Sequence, residues 1–197
     1  MGRNVQPSEG QRVRARREPG HEQPGIEALL DGGDRRSVGQ VGRAVRRATR
    51  DATVVAALVA ALRSKRPFVR LRAADALEKI SRRDAKPLGS YRRQLTHAVA
   101  RTSDPVVRWN LIQLLPRLSH DRDAMRRLAR RLEVWFLSDA SAIVRVSALD
   151  AVAAFARQDA TLEPLAQRMV LEGLTSPMAS VRARARRLDP GLRSVSR

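Results

Sequence analysis

A Val-Arg dipeptide followed by small or apolar residues at helical spacing occurs four times in this chain, at Val69-Arg70, Val107-Arg108, Val144-Arg145 and Val181-Arg182. Successive arginines lie 38, 37 and 37 positions apart. A period of that size marks a unit that cannot bury its apolar face alone and must stack on copies of itself. The repeat therefore constrains the architecture strongly and the bound partner weakly.

The four segments align without gaps. Three residues after each arginine stand Ala73, Leu111, Ala148 and Ala185; six after stand Ala76, Leu114, Ala151 and Leu188. With the preceding valine this makes one apolar stripe per helix at i, i+4 and i+7. A second set supplies the partner faces: Val55, Leu58 and Leu62; Leu95 and Val99; Leu128, Leu132 and Trp135; Leu165 and Met169. The spacing predicts four helix pairs, 52–63 with 67–81, 87–102 with 105–118, 121–138 with 141–157, and 161–175 with 177–188. Asp104-Pro105 and Ser176-Pro177 read as a cap followed by a proline, and Asp121 as a further cap. Pro116 should kink or end its helix early, and Asp189-Pro190-Gly191 should stop the last one. A weaker helix is expected from a Ser37 cap to about Arg50, after a short helix at 26–31 stopped by Gly32-Gly33. The segment 52–63 is apolar nearly all round, so it needs cover on both flanks, which places that degenerate leading repeat inside the fold.

Residues 1–24 are rich in Arg, Gly, Pro, Gln and Glu and read as a disordered leader. The helical domain is expected over 25–190, with a tail at 191–197. No alternating β-branched pattern suggests a sheet, and no apolar run reaches the length of a membrane span. The chain has no cysteine, which excludes disulfides and thiolate metal sites and fits a cytoplasmic protein. The formal charge of +19 belongs almost wholly to the repeats: residues 1–36 hold seven basic and six acidic residues, leaving 32 against 14 beyond them. Such a surface favours nucleic acid, anionic lipid or acidic protein. All but three of the basic residues (Lys65, Lys79 and Lys86) are arginine, a bias that GC-rich codon usage also produces.

The segment from Leu137 to Leu149 resembles a HEAT repeat: Asp139 in the inter-helix turn, Val144-Arg145 at the start of the second helix, then an Ala-rich stripe. Ser103-Asp104-Pro105-Val106-Val107-Arg108 resembles a shortened form, and Ser64 to Ala73 and Ser176 to Ala185 keep the Val-Arg and the stripe. The resemblance covers about residues 37–188. It implies an all-α, right-handed α-α solenoid of about four helix pairs with a degenerate leading repeat. It also implies a ladder in which turn Asp and helix Arg link neighbouring repeats, here incomplete because only Asp139 has the full spacing. HEAT-like proteins are mostly scaffolds that hold a protein along a concave face lined by second helices. A minority bind nucleic acid, among them a group of alkylpurine DNA glycosylases.

On that reading the concave face carries Arg72, Asp75, Trp109, Asn110, Gln113, Ser147, Asp150, Arg184 and Arg187, taken two and five residues after each ladder arginine with Trp109 as an anchor. Its central carboxylates, Asp75 and Asp150, suit a polar protein partner better than a phosphate backbone. The ladder arginines themselves read as structural. Nucleic acid is the alternative partner, held without base reading by two arginine stripes: Arg43, Arg46, Arg47 and Arg50, and Arg122, Arg126, Arg127, Arg130 and Arg131. Arg82-Arg83 and Arg92-Arg93 add charge near loops. Neither catalysis nor a metal or cofactor site is expected: His21, His97 and His120 share no ligand spacing, and no Gly-rich phosphate loop follows a strand. Asp150 with Trp109 is the nearest approach to a base-excision site, and its neighbours are small aliphatics.

Overall fold

The computed structural model describes residues 25–31 and 40–193, with side chains as far as Asp189. The expected leader, the Gly32-Gly33 stop, the Ser37 cap and the last four residues of the tail lie outside the described residues. Every element within them is helical: α1 (Ile26–Leu30), α2 (Val41–Ala48), α3 (Ala52–Ala61), α4 (Pro67–Arg83), α5 (Arg92–Arg101), α6 (Pro105–Leu114), α7 (Arg122–Ser138), α8 (Ala142–Ala156), α9 (Glu163–Leu174) and α10 (Ala179–Arg193). Short 3-10 turns precede α5 (Lys86–Tyr91), follow α6 (Leu115–Arg117) and precede α9 (Ala160–Leu162).

Helix starts follow from side-chain oxygens that accept orphan amides. Asp51 accepts from Thr53 N, Asp104 from Val106 N and Val107 N, and Asp121 from Ala124 N. Pro116 ends α6 at Leu114, as its missing N–H requires. Three boundaries differ from expectation. The start expected at Ser176-Pro177 falls at Ala179, because Ser176 Oγ accepts from Met178 N in a turn that precedes the helix. The helix expected from residue 87 begins at Arg92, because Pro87 and Gly89 tighten the first turn into the 3-10 segment. The stop expected at Asp189-Pro190-Gly191 is absent, and α10 runs to Arg193. Pro190 withdraws one amide from a helix already in its last turns, and that single loss does not end it.

The helices alternate in role. Even-numbered helices pack on one another in sequence: α2 on α4, α4 on α6, α6 on α8 and α8 on α10. Each also packs against the odd helix before it. The stripe residues form the seam: Val69, Ala73, Ala76, Val107, Leu111, Leu114, Val144, Ala148, Ala151, Val181 and Ala185 are all buried, and Leu188 packs against them. Alanine at these positions lets helix axes approach closely. Helices α9 and α10 meet closely at Gly173, where a Cβ would stand 2.9 Å from Ala185 Cβ. Helix α3 is covered on both flanks, by α1 and α2 on one side and by α4 and the 86–91 turn on the other.

Among the odd helices, α3 and α5, α5 and α7, and α7 and α9 pack on one another far less closely than the even helices do. Long polar side chains span the gaps instead: Arg92 reaches Ser119 O at 2.6 Å, Arg126 reaches Thr161 Oγ1 at 3.3 Å, and Arg168 lies 3.8 Å from Glu133. The even row also has polar ties between units. Arg72 donates to Leu30 O (2.7 Å), Arg117 to Glu78 (2.9 Å) and Ser81 (2.8 Å), and Gln158 to Pro116 O (2.8 Å). No helix among the described residues is long and apolar enough to cross a membrane.

Candidate functional site

The four repeat arginines share one structural task. Each guanidinium donates to the carbonyl six residues earlier: Arg70 to Ser64, Arg108 to Thr102, Arg145 to Asp139 and Arg182 to Ser176. These carbonyls lie at or just beyond the C-termini of α3, α5, α7 and α9, where helices leave acceptors unpaired and favour positive charge. The expected structural role of these arginines is therefore seen directly. Asp139, in the turn after α7, links its pair to the one before through Arg108.

The residues expected on a concave face separate into two groups. Arg72, Asn110 and Ser147 are buried, so they cannot meet a partner. Arg72 is committed to Leu30 O, Asn110 to Val106 O at 3.0 Å, and Ser147 to Ile143 O at 2.8 Å. The reason is register: each lies three residues after a stripe valine, on the buried side of its helix. Asp75 is paired with Lys79 at 2.8 Å and Asp150 with Arg184 at 3.2 Å. Burial pushes the Asp150 carboxyl above its usual range, while Arg184 and Arg157 pull the other way. Trp109 is half-buried, Gln113 is half-buried with its amide nitrogen enclosed and unbonded, and Arg187 is exposed. Trp135, expected in the core, is half-buried and lies under the Arg108 guanidinium, 5.2 Å from the ring centre.

The opposite side, between the odd helices, holds two adjoining grooves. The first, of about 1100 Å³, runs between α3 and α5. Its floor is apolar, with Ala56, Val59, Leu62, Val107 and Leu111, and its rim carries Arg63, Arg70, Arg93 and Arg101. The second, of about 530 Å³, runs between α5 and α7 and is lined by Arg92, Arg93, Arg127 and Arg131 with His97 and His120. Two carboxylates line them, Asp104 in the first and Asp121 in the second, and both cap helices. The Ala124 amide holds the Asp121 carboxyl below its usual range. His120 donates its Nε2–H to Leu115 O at 2.9 Å, meets Phe155 edge-on at 5.7 Å, and is held below the ordinary histidine pKa chiefly by burial.

Arg63, Arg93, Arg101, Arg127 and Arg131 are exposed and form no ion pair with another described residue, whereas each repeat arginine is bonded to a carbonyl. From the expected stripe on α7, Arg122, Arg127, Arg130 and Arg131 are exposed, whereas Arg126 is tied to Asp123 and lies 3.7 Å from Asp159. On α2, Arg46 is exposed, Arg43 bonds Gln40 and Arg47 is half-buried, and Arg50 is exposed in the turn after it. The structure adds Arg63, His97 and Arg101, which the sequence did not mark as a surface, and brings Arg93, expected only as charge near a loop, to the border of both grooves. The spacing of Arg93, His97 and Arg101 at i, i+4 and i+8 was the available signal. No group of three His, Asp or Glu side chains converges as a metal site among the described residues.

Comparison with family models, with curated proteins and with solved structures found no match.

Proposed function

We propose that this chain is a non-enzymatic binding module, a right-handed α-α solenoid of HEAT-like helix pairs, that holds nucleic acid by its phosphate backbone along the odd-numbered helices. The continuous row of even helices and the four equivalent arginine caps support the solenoid reading. The observation that carries the function is the lining of the two grooves. Seven arginines meet there with two carboxylates, and both carboxylates are already occupied as helix caps. Exposed guanidiniums without ion-pair partners repel one another and gain by neutralising a polyanion.

The protein-partner reading of the even-numbered face is the weaker one. Three of its nine residues are buried, and its carboxylates are neutralised by Lys79 and Arg184.

Fluorescence anisotropy of the full chain with a labelled mixed-sequence oligonucleotide tests the proposal. Affinity should fall linearly on a log–log plot as salt rises, because each phosphate contact releases a counterion. The double variant Arg127→Glu, Arg131→Glu should bind much more weakly while melting at the same temperature. Lack of binding at low salt would end this reading.

A further inference from the structure

We infer that α5 is a reading helix: it enters the major groove of double-stranded DNA while the two bordering phosphate strands lie in the grooves on its flanks. This rests on the nucleic-acid reading above and names the ligand and its pose. Helix α5 packs only loosely on its odd neighbours and has a protein groove on each side. Leu95 and Val99 hold it to the core. Gln94 and Ala98 face only the first groove, Thr96 and Ala100 only the second, and Arg93 and His97 line both. Arg93 and His97 are therefore the crest of a ridge, extended one turn further by the exposed Arg101.

The dimensions agree. A helix with its side chains is roughly 10–12 Å across, and the B-form major groove is about 12 Å wide and 8.5 Å deep. Chemistry agrees as well. The crest offers arginine and histidine, with Gln94 on its first-groove flank, side chains that can bond base edges, and α5 carries no carboxylate. The far walls of the two grooves offer Arg63 in the turn after α3 and Arg127 and Arg131 on α7, placed to neutralise strands on either side.

Two other nucleic acids fit less well. Single strands are held by bases stacked on exposed aromatic rings. Tyr91 is the one Phe, Tyr or Trp in either groove, and it is half-buried against the core. Duplex RNA has a major groove too deep and narrow to admit a helix.

The test compares one mixed sequence as DNA duplex, RNA duplex and single-stranded DNA by anisotropy, with polyglutamate as competitor, and probes guanine N7 in the DNA duplex with dimethyl sulfate. The DNA duplex should bind about tenfold or more tighter than the RNA duplex, with guanine N7 protected in its major groove. Arg93→Ala with His97→Ala should abolish the protection. Arg127→Ala with Arg131→Ala should keep it and lower the salt slope by about 2, one per lost phosphate contact. Circular dichroism melts confirm that both variants fold. Equal or tighter binding of RNA duplex or single strand, or DNA binding with N7 unprotected, would overturn the insertion of α5 while leaving backbone binding intact. No nucleic-acid binding at low salt, or displacement of DNA by polyglutamate at equal charge concentration, would overturn both.

Discussion

Arg108 donates to the carboxylate of Asp139, thirty-one residues further on, and to the carbonyl of Thr102, while its guanidinium lies over the ring of Trp135. One side chain thereby joins the end of α5, the turn after α7 and the face of α7. Its Nε has no partner, so the two terminal nitrogens carry the whole interaction.

Both members of that pair are mostly shielded, with side-chain exposures of 18% and 10%. Removing one partner strands the other in a dry seam, which costs about 3 kcal/mol when a buried pair is broken. Asp139→Ala should therefore lower the urea-unfolding free energy by about that amount. It also removes the acceptor for Ser141 N. Adding Arg108→Met should recover part of the loss. If the double variant is less stable than the sum of the single ones, the stranded charge is not the cause.

Gly173 is needed for space. A Cβ there would meet Ala185 Cβ at 2.9 Å, with Leu149 and Phe136 each at 3.6 Å. Overpacking a close helix contact costs about 1–3 kcal/mol, against about 1 kcal/mol gained in helix propensity. Gly173→Ala should be net destabilising, and Gly173→Val more so. The exchange Gly173→Ala with Ala185→Gly moves the methyl to the other helix and should recover most of the stability in thermal melts.

Much of this arrangement is legible in the chain. The valine-arginine register identified the seam, because the same small and apolar side chains recur wherever one even helix meets the next. Pro116 and the aspartates at 104 and 121 marked edges for local reasons that tertiary packing did not override. The surface was harder to read. Positions 72, 110, 147 and 184 are equivalent in register, yet the first three are buried and Arg184 is half-exposed. An even helix has a neighbour on both sides, so its buried face is wider than one stripe; no helix follows α10 among the described residues. Each of these positions lies three residues after a stripe valine, a spacing that already pointed inward. The ridge of α5 is hidden in the sequence because Leu95 and Val99 mark only the buried side of the expected helix 87–102, and Arg92-Arg93 read there only as charge near loops. The 3-10 turn at Lys86–Tyr91 puts the two arginines in the first turn of an exposed α-helix.

Stability should depend on pH with two opposite contributions. His120 is held below its ordinary pKa of 6.5, first by burial and also by the positive Arg92, against the pull of Leu115 O and Asp121. Its folded pKa is depressed, so the unfolded chain takes the proton first. Its contribution is present above pH 6.5 and is lost as pH falls through the folded value. Asp150 is raised, chiefly by burial. Its contribution is present below the ordinary carboxylate value of 3.8 and is lost as pH rises through the folded one. Urea midpoints should therefore fall on acidification below 6.5, and His120→Gln should flatten that limb. Asp150→Asn should leave the limb unchanged and keep or raise the midpoint at pH 7.

The two populations of arginine should respond in opposite ways to the same change. Arg145 bonds the Asp139 carbonyl at the end of α7 and is half-buried. Arg131 lies on the same helix as that carbonyl but is exposed and without an ion-pair partner. A hydrogen bond from a charged donor is worth about 1.5–3 kcal/mol when its acceptor is left otherwise unpaired. Arg145→Ala should cost about 2 kcal/mol in unfolding free energy and leave the salt slope of nucleic-acid binding unchanged. Arg131→Ala should leave stability within about 0.5 kcal/mol and lower the slope by about 1. Charge alone cannot produce this separation, since both variants lose one guanidinium and the net charge falls equally. If the two slopes drop together, the arginines act through the general field of the protein rather than through contacts in the grooves.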